Sequence, residues 1–145
     1  MKKFTFTLER VRQWREKQIA MEQARLEKLF SERGLLESRR AMLEQEANAS
    51  ASLVHSNTAI AASELQAIDA FRRHVISQRR VIAAGIAEVD QRIAGQQRNL
   101  MEARRRFELL DTLKEKKLTQ WNADFAREIE IQAGELHLAK WQNGQ

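Results

Sequence analysis

Between Ile82 and Leu110 apolar side chains return every three or four residues, with mostly Arg, Glu, Gln and Asp between them. Ile86, Ile93, Leu100 and Phe107 form one row stepping by sevens. Ile82, Val89, Ala103 and Leu110 form a second, which only Gln96 interrupts. Two such rows make the seam of a coiled coil. The stripe covers one side of a helix and cannot enclose a core, so this helix must lie against another.

The partner is written upstream. Leu29, Leu36 and Leu43 repeat by sevens, as do Ile19 and Leu26, and Leu8, Val11 and Ala47 extend the pattern over about 8–47. Arg15, Glu22, Arg33 and Arg40 sit at seam positions, where long Arg stems can snorkel outward. Phe4-Thr5-Phe6-Thr7 alternates like a short strand but has no second strand to pair with. It predicts an extended lead-in, with Thr7 as N-cap and a helix from Leu8. The charge-free Ala/Ser/Asn/Thr run after Glu46 predicts a hinge over about 48–63. A second helix then runs over about 64–136, followed by a short tail, 137–145. The fold class is all-α, a long antiparallel two-helix coiled-coil hairpin with unequal arms, roughly 60 Å and 105 Å at the rise of an α-helix. Folding about the middle of the hinge places Leu43 near Phe71, Leu29 near Ile86 and Leu8 near Phe107. Alternatively a short helix over 55–75 slides the register until Trp14 approaches Trp121.

Beyond Leu110 the period changes. Phe107 to Leu118 and Leu110 to Trp121 are steps of eleven, and Phe125 and Ile129 follow at fours. A stutter near Lys114 therefore opens a wide apolar stripe past the expected reach of the first helix. Such a stripe asks for a partner or for the chain's own termini.

Composition narrows the possibilities. Charged residues make up 31% of the chain and proline is absent, so long helices with many exposed positions are favoured over a globular core. The chain has no cysteine, which removes disulfides and thiolate metal sites. The start of the chain carries no apolar run of signal-peptide or membrane-span length, and a cytoplasmic protein without membrane insertion is expected. The net charge of +5 is spread along helices that also carry Glu, which argues against a nucleic-acid surface. His55, His74 and His137 are far apart and lack ligand spacing. There is no Gly-rich phosphate loop and no nucleophile elbow, so neither enzyme chemistry nor a cofactor is expected. The remaining charge cluster is a collar of Arg104, Arg105 and Arg106, then Lys114, Lys116 and Lys117, in which Glu102 can pair with Arg106 at i,i+4.

Two end motifs carry a resemblance. Phe4, Phe6, Leu8, Glu9, Val11 and Arg15 match the opening of the flagellar export protein FliJ family. Glu108, Leu110, Leu113, Lys114, Glu115 and Trp121, followed by Arg127, Glu128 and Glu135, match its closing segment. The resemblance implies a non-enzymatic stalk similar to the gamma subunit of rotary ATPases, within the bacterial flagellar type III protein export apparatus. Such a protein would bind the hexameric export ATPase and promote its assembly. It would also contact the cytoplasmic domain of the export-gate membrane protein, and export chaperones, at the inner face of the inner membrane. On that resemblance Arg104, Arg105, Lys114, Lys117, Leu118, Trp121 and Phe125 would face the ATPase, and Leu43, Phe71 and Val75 at the hinge end would face the gate. An injectisome stalk is the alternative within the same class. A generic scaffold whose seam binds a second copy is the alternative outside it.

Overall fold

A computed structural model describes residues 2–56 and 59–144. Two α-helices account for almost all of them, α1 (Glu9–Ser56) and α2 (Ala62–Asn143), and the described residues contain no strand. The chain divides into two compact units, one of residues 21–100 and one of residues 1–20 with 101–145.

In the 21–100 unit the two helices form an antiparallel hairpin held by the predicted seam. Leu43, Val75, Ile82 and Ile86 make one buried cluster, with Leu36, Ala47 and Phe71 packed on it. Leu29, Val89 and Ile93 make a second, flanked by Leu26 and Leu36. Leu100 is also buried. Both rows of apolar positions on α2 thus enter the interior, as period 3.5 requires. Gly85 faces Leu36, where an added Cβ would meet Cδ1 at 3.4 Å, an ordinary van der Waals contact.

The register differs from both expected registers. Leu29 packs against Val89 and Ile93, three and seven residues beyond its expected neighbour Ile86. The cause lies at the tip, where α1 does not stop at Ala47 but continues to Ser56, and α2 starts at Ala62. The expected hinge contains no Pro or Gly, Ala47 and Phe71 pack on the Leu43 and Val75 cluster, and Val54 and Ile68 line the same groove, so the last turns of α1 stay helical. The segment 55–75 is not a separate helix; it holds the end of α1 and the start of α2, and Asn57 and Thr58 lie outside the described residues. The expected tail is helical as far as Asn143.

Polar groups fix this register. Gln96, the residue that interrupts the seam, donates through Nε2 to the Glu22 carbonyl at 3.0 Å and also to the Glu22 carboxylate. Arg33 pairs with Asp90 at 2.7 Å, and Arg79 donates two bonds to Glu44 at 2.6 and 2.9 Å. Arg92 reaches Glu32 at 3.2 Å. Sliding by one heptad would keep apolar against apolar but break every one of these pairs.

Candidate functional site

The other unit holds the stretch that both the stutter and the end motifs singled out. Residues 2–6 carry no helix. The Glu9 amide donates to the Phe6 carbonyl at 3.1 Å, and the Leu8 carbonyl accepts from the Arg12 amide as the first helical bond. The helix therefore starts at Glu9, one residue later than a Thr7 cap would set. The lead-in runs along α2 and is held at its far end by Trp121, whose indole N–H donates to the Lys2 carbonyl at 3.1 Å.

Three aromatic rings meet there. Phe4 lies 6.2 Å from Trp121 at 59°, and Trp121 stacks on Phe125 one turn further along α2, 5.2 Å apart and 5° from parallel. Such pairs contribute beyond their area. Phe4, Phe6, Leu8, Leu113 and Trp121 line a cleft of about 610 Å³, whose rim carries Lys117 and Asp124. Past it, α2 has no cover from α1: Leu118, Phe125, Ile129, Leu136 and Trp141 are all exposed.

Closer to α1 the helices are joined by an ion cluster. Arg12 donates to Asp111 Oδ1 from Nε at 3.0 Å and Nη2 at 2.8 Å, reaches Glu9 at 3.3 Å, and lies 5.1 Å over the Phe107 ring. Lys114 Nζ sits 2.9 Å from the second Glu9 oxygen. That hydrogen bond to Lys114 lowers the Glu9 pKa, and the one to Asp111 raises that of Arg12. Arg12 was not among the expected site residues, although its spacing carries the signal. It falls on the same heptad row as Ile19, Leu26 and Arg33, so a charged residue there had to meet a carboxylate or leave the seam.

The expected site residues fare differently. Arg104, Arg105 and Lys117 are exposed, and Glu102 takes up both Arg105, at 3.6 Å, and Arg106, at 3.1 Å. Lys114 is half-buried and spent on Glu9, so it serves the joint between the helices. Leu118 and Phe125 are open and Trp121 is half-buried under Phe4. At the tip, Leu43 and Val75 are interior, 8% and 4% exposed. That corrects their expected role: they hold the hairpin and offer no surface. Phe71 remains half-exposed, on a groove of about 410 Å³ formed with Ala47, Val54, Ile68 and Ile76. Of the seam residues, Leu29, Ile82, Ile86, Val89, Ile93 and Leu100 are buried, and Leu36, Phe107 and Leu110 are half-buried.

Glu9 and Glu44 share an electrostatic signature. Lys114 and Arg79, respectively, hold them below the ordinary carboxylate value of 4.5. A carboxylate whose folded pKa is depressed stabilises the fold above its unfolded pKa, and the contribution is lost as pH falls through the folded value. Thermal unfolding is therefore expected to move to lower temperature on acidification from about pH 5 to about pH 3. Glu44→Gln should lower the midpoint at neutral pH and flatten part of the acid limb. An unchanged profile in that variant would show that the Arg79 pair contributes nothing.

The fold is that of an all-α protein built from two long helices paired side by side. The sequence model of the family described as flagellar FliJ protein matches residues 4–138, nearly the whole chain. The chain belongs to that family, whose members are non-catalytic components of the flagellar protein export apparatus. No curated protein and no solved structure matches it. Among the described residues, no helix is long and apolar enough to cross a membrane.

Proposed function

We propose that this protein is the stalk of the export ATPase, a coiled coil that enters the ATPase ring, promotes its assembly and activity, and links it to the export gate. The observation that carries the reading is the aromatic end of the 1–20/101–145 unit. Trp121 and Phe125 stack at the edge of a stripe that α1 leaves open, and exposed Arg104, Arg105 and Lys117 lie upstream on α2. A ring lumen with apolar sleeves and acidic loops fits both features. The groove around Phe71 and Ile76 is the surface offered to the cytoplasmic domain of the gate protein, or to export chaperones, in place of the buried Leu43 and Val75. In this reading the protein works in the cytoplasm and reaches the inner membrane only through its partners.

The test is addition of the purified chain to the purified export ATPase. Expected are a several-fold rise in ATP hydrolysis and a shift of the ATPase towards hexamers at substoichiometric amounts, one stalk per ring. Absence of both ring binding and stimulation at micromolar concentrations would overturn the proposal.

A further inference from the structure

Helix α1 has a second face. Met21, Lys28, Leu35, Met42 and Ala49 step by sevens, one residue ahead of the seam row Glu22, Leu29, Leu36, Leu43. Three residues after each stand Ala24, Ser31, Ser38, Gln45 and Ser52. Every one of these positions is exposed, with Leu35 at 66%, Met42 at 61% and Met21 at 48%. At ~100° per residue the two rows lie together on the side of α1 turned away from α2. They therefore form a second heptad seam with only one charge in it, alternating large and small positions.

The flanks of this seam say what occupies it. Arg25, Glu32, Arg39 and Glu46 run along one edge in alternating sign. When the face is laid antiparallel on a copy of itself, with Leu35 opposite Ser38 of the second copy, each large apolar residue meets a serine. Met42 faces Ser31, Met21 faces Ser52, Ala24 faces Ala49, and Lys28 faces Gln45. In that same register Arg25 stands opposite Glu46 and Glu32 opposite Arg39, each pair occurring twice by symmetry. A slip of one heptad in one direction puts Arg39 on Arg25 and Glu32 on Glu32. A slip in the other puts Arg39 on Arg39 and Glu32 on Glu46. Parallel pairing in register would set Lys28 on Lys28. One arrangement alone satisfies size and charge together.

We infer that α1 is two-faced, and that its outer face, from Met21 to Ser52, is an antiparallel self-association surface for a second copy of this chain. The two copies are related by a twofold axis near Leu36. The inner seam is already filled by α2, so self-association does not compete with the hairpin. A Ser or Gln in every layer but that of Ala24 and Ala49 makes the contact weak and reversible.

Sedimentation equilibrium of the full chain from about 5 to 500 µM should show a monomer–dimer equilibrium with a dissociation constant of about 10–100 µM. Glu32→Arg and Arg39→Glu should each weaken it about tenfold, because each turns two attractive contacts repulsive. The double variant should restore it to within about threefold of the parent. The Glu32–Arg92 bond within the chain is lost in both the Glu32 single and the double variant, so recovery reports the interface and not that bond. Circular dichroism verifies that all variants keep their helix. Because the chain lacks cysteine, Leu35→Cys mixed with Ser38→Cys should form a crosslinked dimer under mild oxidation. Leu35→Cys mixed with Gln45→Cys, one heptad away, should crosslink far less. A monomer at all concentrations, a dimer indifferent to the single substitutions, failure of the double to recover, or equal crosslinking in both mixtures would each overturn the inference.

Discussion

Leu43→Ala is expected to lower the free energy of unfolding by about 3 kcal/mol, within the range for a buried Leu truncated in a core that cannot collapse around the hole. Leu43 is one of two buried residues that α1 contributes, the other being Leu29, and it touches the cluster of Val75, Ile82 and Ile86. A two-layer seam has no second shell to fill a void, because every neighbour of the cluster is already at the surface. The loss is large against a total stability of about 5–15 kcal/mol for proteins generally. Leu35→Ala removes the same atoms from the same helix at a position 66% exposed, and at low micromolar protein should cost less than about 0.5 kcal/mol. Urea denaturation followed by far-UV circular dichroism checks both. Equal effects would mean that the seam assigned to Leu43 does not carry the fold.

That contrast marks how far the sequence could be read. The interior of α2 was legible because Ile82, Ile86, Val89, Ile93 and Leu100 obey a strict heptad, and all five are buried. The end of α1 was not. Ala, Ser, Leu and Val lower charge without forbidding a helix, and packing of Ala47 and Phe71 on the Leu43 and Val75 cluster decides the outcome. Register was hidden for a related reason. Coiled coils look alike after a slip of seven, so the choice rests on pairs such as Arg33–Asp90 and on Gln96 meeting Glu22. With α1 running to Ser56 and α2 starting at Ala62, the partners of the α1 residues move along α2, and Leu43 and Val75 pass from expected surface to interior. In the 1–20/101–145 unit, the apolar stripe was visible in the spacing of Leu118, Trp121, Phe125 and Ile129. The lead-in folding back on Trp121 was not, because a backbone carbonyl such as that of Lys2 leaves no trace in side-chain patterns.

Trp121→Ala is the substitution expected to act most strongly on the proposed function. The half-buried indole holds three things at once: the Lys2 carbonyl, the edge of Phe4 and the face of Phe125. An aromatic residue with one side anchored and the other open is the kind that dominates interfaces, and its truncation commonly costs 2 kcal/mol or more of binding, about thirtyfold. The concentration giving half-maximal stimulation of the export ATPase should rise by about that factor, while urea unfolding of the 21–100 hairpin stays as in the parent. A loosened lead-in is a second route to the same loss, and Phe4→Ala separates the two. It frees the lead-in but keeps the indole stacked on Phe125. If Phe4→Ala stimulates normally and Trp121→Ala does not, the indole and its stripe meet the ring. If both fail equally, the lead-in is the binding element and Trp121 positions it. If Trp121→Ala stimulates as well as the parent, the aromatic end is not the surface that meets the ATPase.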